Sequence, residues 1–127
     1  MVSYAQTTEN ITVTVRPGYL DGRSDLINKQ FVFGYAVEIK NRSARPVQLL
    51  RRHWIIKESS GRVEEVEGEG VLGIQPIIPP GQSHQYSSFC ILHSFTGSME
   101  GTYLMQDFEG RQFQIQIPRF TLQAAAN

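Results

Sequence analysis

The chain has 127 residues, 40% of them hydrophobic and 19% charged, with twelve basic residues set against twelve acidic ones. Those proportions describe one globular domain, 1–127, with an ordered core over about 10–122, and exclude a disordered chain. The neutral balance excludes a partner recruited by bulk charge, so neither nucleic acid nor an anionic membrane is expected. Cys90 is the only cysteine, which rules out an internal disulfide and favours a reducing compartment. No apolar run approaches the ~20 residues needed to cross a bilayer. The opening residues MVSYAQTTEN lack the basic start and apolar run of a signal peptide, so a cytoplasmic protein without membrane insertion is expected.

Residues 1–9 are polar and without period, and fraying is expected there. Ile11, Val13 and Val15 alternate with Thr12, Thr14 and Arg16, the period of a half-buried strand. Pro17-Gly18 is expected to end or bend it, and 21–29 reads as a loop. Phe31, Phe33, Tyr35, Val37 and Ile39 share one face of a regular strand, expected to lie centrally in a sheet. Residues 41–46, ending in Pro46, form a turn.

The next strand, 47–57, changes face. Val47 and Leu49 occupy odd positions while Trp54 and Ile56 occupy even ones. One inserted residue near Leu50–Arg51 reconciles them, which predicts a β-bulge. Ser59-Ser60-Gly61 is a hairpin turn into a strand over 62–67. Pro79-Pro80-Gly81 forces another turn, followed by strands over 84–89 and 102–106. Residues 107–110 close a hairpin with Gly110 at positive φ. The strand over 111–117 alternates Phe113, Ile115 and Ile117 with glutamines. Pro118 is expected to close it, with Phe120 and Leu122 tucked down before a loose tail over 124–127. Seven or eight short strands without an amphipathic helix predict an all-β sandwich of two antiparallel sheets, with a closed barrel second.

The segment GEGVLG carries Gly68, Glu69, Gly70 and Gly73 in a G-x-G-x-x-G spacing. In dinucleotide-binding folds such glycines follow a buried strand and open a helix. Here the preceding strand carries Glu64, Glu65 and Glu67, and Pro76, Pro79 and Pro80 occupy the path of that helix. Glu69 would repel a phosphate, and the Lys-Ser/Thr ending of a P-loop is missing. The glycines read as a tight crossing between sheets, and anion capture by loop amides is the lesser reading.

A basic run (Lys40, Arg42, Arg45, Arg51, Arg52, Lys57) precedes an acidic one (Glu58, Glu64, Glu65, Glu67, Glu69). Across a hairpin these give cross-strand ion pairs; the functional alternative is a partner-binding patch near Arg51, Arg52 and Trp54. Cys90 and His93, with His84 upstream, have no second ligand pair for a structural zinc, and the glutamate spacing is not that of a calcium loop. No metal or cofactor is expected. Neither a G-x-S-x-G elbow nor HExxH is present, and a Cys90–His thiolate pair is the only conceivable catalytic group. No enzyme activity is expected, and Cys90 beside Phe89 and Ile91 reads as a small buried apolar residue.

Six motifs in order, PVQLL (46–50), R-x-W (52–54), VEGEGVLGIQPIIPPG (66–81), QYSS (85–88), GSMEGTY (97–103) and FQIQIPRFTL (113–122), resemble the ApaG family, also called CorD. The resemblance runs from about Ile11 to Leu122. It implies a fibronectin type III-like, immunoglobulin-like sandwich in a small bacterial protein. The family is associated with cobalt tolerance and magnesium efflux. It is often encoded near a diadenosine-tetraphosphate hydrolase and an rRNA dimethyltransferase. Similar domains are appended to eukaryotic F-box proteins and to a partner of a DNA polymerase, which implies a protein-interaction module. The family pattern does not require His84, Cys90 or His93, and Phe89 stands where glycine is frequent.

The resulting expectation is a non-enzymatic binding domain with an unidentified protein partner, received at Gly68–Gly73 and nearby Arg52 and Trp54. The alternative is a sensor holding a pyrophosphate-containing nucleotide or a divalent cation at the same loop and Arg51–Arg52.

Overall fold

The computed structural model describes residues 2–124. Nine strands, β1 (Tyr4–Thr8), β2 (Ile11–Tyr19), β3 (Phe31–Asn41), β4 (Val47–Glu58), β5 (Val63–Glu69), β6 (Ile77–Ile78), β7 (Ser83–Leu92), β8 (Thr96–Asp107) and β9 (Gln112–Gln123), form two antiparallel sheets. The first runs β1-β2-β3-β7 and the second β5-β4-β8-β9, with β6 beside β4. One 3-10 turn at Asp21–Arg23 is the helical element among the described residues. The all-β expectation holds, as an open sandwich rather than a closed barrel.

Alternation dictates the core. The odd face of β3, Phe31 to Ile39, is buried against Leu49, Met99, Tyr103 and Ile115 of the other sheet in one continuous cluster. β3 lies between β2 and β7, the central place its pattern predicts. The bulge in β4 is also as expected. Pairing with β8 shifts between Leu49 and Arg51, so Leu49 and Trp54 are both buried although one is odd and the other even.

Several boundaries differ from expectation: β8 begins at Thr96 rather than 102 and β7 extends to Leu92 rather than 89. Residues 4–8 are a strand paired with β2, Tyr4 opposite Val15 and Thr8 opposite Ile11. Tyr4 donates or accepts at Thr121 Oγ1 at 3.0 Å, and the Gln116 amide donates to Thr8 Oγ1 at 3.1 Å. A polar stretch is thereby ordered by long-range partners that local periodicity does not register. β2 runs through Pro17-Gly18 to Tyr19. β9 runs through Pro118, which sits where the pairing with β8 is irregular, between Met99 and Gly101; an edge strand tolerates proline at a bulge. The Ala124 amide donates to Phe95 O at 2.8 Å, so the chain is held to that point; the rest of the expected tail lies outside the described residues.

Contacts between β1 or β2 and β9 close one side of the sandwich. On the other side β5 and β7 are the outermost strands of their sheets, and the sandwich gapes between them.

Candidate functional site

The open side holds a cleft of about 460 Å³. Its walls are the inward face of β7 (Tyr86, Ser88, Cys90), the even face of β4 (Arg52, Trp54, Ile56), Glu64 and Val66 of β5, and residues 71–73. Tyr35 and Met99 line it more deeply. That volume falls within the ~300–1,000 Å³ of ordinary ligand pockets.

The glycine string builds one lip. Val71 and Ile74 exchange backbone hydrogen bonds, 2.8 Å and 3.1 Å, around Leu72-Gly73. Leu72 has φ 48° and Gly73 φ 80°, the two left-handed residues of a type I′ hairpin turn. Gly70 is also left-handed, and a Cβ there would lie 2.0 Å from the Ile74 carbonyl oxygen. The glycines thus serve a β-hairpin and not a helix N-terminus. The amides of Gly70, Val71 and Ile74 are bonded to Leu50, Ile74 and Val71, which leaves them unavailable to a pyrophosphate.

Arg52 fastens this hairpin. Its Nη1 donates to the carbonyl oxygens of Glu69 and Gly70 at 3.0 Å and 3.1 Å. Gly68 lies opposite Arg52 in the ladder, and a Cβ on Gly68 would fall 2.7 Å from the guanidinium. Arg52 forms no salt bridge among the described residues. Glu64 stands further along the same cleft, four pairs away in the ladder, where Ile56 meets Glu64 and Arg52 meets Gly68.

The sequence-chosen residues divide. Gly68, Gly70, Gly73 and Arg52 come together as the hairpin lip. Glu69 contributes its carbonyl, while its side chain and that of exposed Arg51 lie on the outer face of the sheet, away from the cleft. Trp54 is corrected from a surface anchor to a core residue: it is 3% exposed and its ring meets Tyr35, Tyr103 and Phe120. The bulge turns it inward, where three aromatic faces bury more area than solvent exposure allows. Of the basic run only Arg51, Arg52 and Lys57 lie opposite β5 and its glutamates; Lys40, Arg42 and Arg45 precede β4, and Glu58 is itself in β4. His53 Nε2 lies 3.8 Å from Glu67, its partner in the ladder, and 3.7 Å from Glu65, while Lys57 forms its ion pair with Glu100 of β8 at 3.0 Å.

Sequence reasoning missed the tyrosines. The Tyr86 and Tyr103 hydroxyls are hydrogen-bonded to each other, and burial pushes both phenols well up. It also missed Glu58, whose buried carboxylate accepts from the His93 amide at 2.7 Å and Ser94 Oγ at 2.9 Å. Tyr86 and Tyr103 fall within the QYSS and GSMEGTY motifs, but nothing in those motifs shows that the two hydroxyls meet, and Glu58 carries no motif signal. Burial pushes the Cys90 thiol up to about 12, reinforced by the charges of Glu58 and Glu64, which opposes thiolate chemistry near neutral pH. Among the described residues no three His, Cys, Asp or Glu side chains converge as metal ligands, and no helix is long and apolar enough to cross a membrane.

Fold and cleft together define a two-sheet antiparallel β-sandwich domain closed on one side and open on the other. Residues 21–107 match the ApaG domain. The chain is 50% identical over 119 residues to Protein ApaG of Paramagnetospirillum magneticum, covering 94% of this chain and 92% of that one. It is 46% identical to Protein ApaG of Brucella canis over the same shares. A solved structure of the protein titled ApaA from Bordetella pertussis superposes with a TM-score of 0.87 at 42% identity, covering 89% of this chain and 92% of that chain. A second, a structural-genomics target, gives 0.84 at 36% identity over 90% and 86%. The chain belongs to the ApaG domain family.

Proposed function

We propose that the chain is a non-enzymatic binding domain whose partner is a protein received in the cleft between β5 and β7. The observation that carries this is the asymmetry of the sandwich. One side is stitched shut by Tyr4–Thr121, Thr8–Gln116 and Glu9–Arg111 contacts, while the other presents two free strand edges around a partly apolar cleft. Leu72 adds to it, since a leucine 65% exposed in a left-handed turn is strained, and such strain clusters at sites of contact. On this reading the domain works in the cytoplasm, and a role in cobalt tolerance or magnesium efflux is exercised through the partner.

The test is a photo-crosslinking residue placed at Leu72 and, separately, at Phe108, which is exposed on the β8–β9 loop. A discrete protein adduct at Leu72 that is absent at Phe108 supports the proposal. Equal labelling at both, or none at Leu72, overturns it.

The second reading, a nucleotide or divalent cation at Gly68–Gly73, draws support from Arg52, which has no carboxylate partner among the described residues. Amide titration with ATP, a dinucleoside polyphosphate, magnesium and cobalt tests it. Saturable shifts confined to residues 68–73 and Arg52 support it, and unmoved amides there dismiss it.

A further inference from the structure

Among the described residues five strands have a free edge, and four are protected in the ways that natural sheets use against edge-to-edge pairing, the two-residue β6 by its shortness. β1 and β9 are stitched to each other by side-chain contacts. β5 carries Glu64, Glu65, Glu67 and Glu69. β7, SHQYSSFCIL, has no Lys, Arg, Asp, Glu or Pro over its ten residues.

The hydrogen-bonding direction of β7 follows from its neighbours. The Asn41 amide donates to Gln82 O at 2.9 Å, while the Arg42 amide donates to Asn10 O at 2.8 Å. Antiparallel ladders alternate, so odd residues of β3 bond toward β7 and even ones toward β2. With Ile39 opposite His84 and Tyr35 opposite Ser88, the even residues of β7 are the ones engaged with β3. The amides and carbonyls of Gln85, Ser87, Phe89 and Ile91 therefore point outward, unpaired by any strand among the described residues. These four residues are exposed, Phe89 and Ile91 at the rim of the cleft, whereas Tyr86, Ser88 and Cys90 are half-buried and line it further in.

Charge in the cleft is polarised along the same axis. Arg52 and Glu64 line the cleft four pairs apart along the β4–β5 ladder; beyond burial, the Tyr86 hydroxyl feels the charge of Arg52 and Cys90 those of Glu58 and then Glu64, so the basic end lies beside Tyr86 and the acidic end beside Cys90. Tyr86 and Cys90 are four residue steps apart along β7, on the order of 13 Å at strand rise.

We infer that β7 accepts an added antiparallel strand from a partner protein, an extended segment of the pattern basic-x-apolar-x-acidic. This rests on the protein-binding reading of the cleft and specifies its occupant. Antiparallel addition sets the basic residue opposite Cys90, facing Glu64. The apolar residue lies opposite Ser88, and the acidic one opposite Tyr86, facing Arg52. The intervening residues exchange backbone hydrogen bonds with Ser87 and Phe89. Main-chain pairing supplies affinity and the two charges fix direction and register.

The experiment uses the full chain and two synthetic peptides of equal composition, one containing Lys-Thr-Val-Thr-Glu and the other Glu-Thr-Val-Thr-Lys. The first is expected to bind about tenfold or more tightly than the second, the worth of one charge-assisted contact. Hydrogen exchange should slow at the amides of Ser87 and Phe89. N-methylation of the Thr between Val and Glu in the peptide, which leaves the protein untouched, should abolish binding. Glu64→Lys, a change at an exposed side chain, should shift preference to a Glu-Thr-Val-Thr-Glu peptide. Equal binding of both orders, or binding that leaves Ser87 and Phe89 exchanging as before, overturns strand addition. No binding of any peptide also overturns it. A Leu72 crosslink obtained alongside any of these failures keeps the cleft as a protein site with a different occupant, so the two readings fall separately.

Discussion

The Gly70 amide donates to the carbonyl oxygen of Leu50 at 2.8 Å, and Leu50 is the residue that the β4 bulge removes from pairing with β8. Gln75 Nε2 donates to the same oxygen at 3.0 Å. The bulge and the glycine hairpin are thus one device. An extra residue in β4 frees a carbonyl, the hairpin satisfies it, and Arg52, turned inward by the same bulge, holds the hairpin's own carbonyls.

Gly70 and Gly73 are expected to respond differently to alanine. At Gly73 a Cβ meets nothing within 4 Å, and φ is 80°, so Gly73→Ala should cost the left-handed penalty of about 1–2 kcal/mol. Gly70→Ala should cost more, because its Cβ would sit 2.0 Å from the Ile74 carbonyl oxygen. Urea denaturation measures both. Gly70 is for this reason unsuited to testing recognition, and similar costs at the two positions would contradict the geometry.

Leu72→Asn creates Asn-Gly, the preferred pair for a type I′ turn. Relief of the left-handed leucine should stabilise the fold by up to about 1 kcal/mol, read as a raised melting temperature. Loss of the exposed leucine should weaken partner capture at the same time. A variant that is both more stable and fully competent would remove Leu72 from the recognition surface.

Cys90 has its folded pKa raised from 9.0 to about 12, first by burial and then by Glu58 and Glu64. The unfolded thiol loses its proton near pH 9 while the folded one keeps it, so the unfolded state binds fewer protons in that window. Stability is therefore present in full below pH 9 and falls as pH rises toward 12. Cys90→Ala should flatten part of that alkaline decline in a denaturation series. Iodoacetamide should leave Cys90 unmodified at pH 8 until the chain is unfolded, and rapid native alkylation would contradict the burial.

Trp54, the only tryptophan, should emit as a buried indole and resist quenching by iodide. Trp54→Ala should cost about 3–5 kcal/mol, the range for truncating a large core aromatic. A loss below 1 kcal/mol would return Trp54 to the surface role that the sequence alone allows.

Much of the fold was legible before any coordinates. The face of β3, the bulge near Leu50–Arg51, the Ser59–Gly61 and 107–110 turns and the proline obstacle to a helix after Gly73 are all local signals. Each is written in alternation or in the φ demands of particular residues. Six ordered motifs also sufficed to place the chain in its family. Tertiary structure alone decided the remainder. Tyr4–Thr8 became a strand because β2 and β9 supply its partners, and Trp54 became core because the aromatic rings of three other strands converge on it. Arg52 clasps the hairpin because Gly68, across the ladder, has no side chain in the way. The open side exists because β5 and β7 end their sheets without meeting. Periodicity reports which face of a strand is apolar; which edges meet, and which are left free, depends on how two sheets stack.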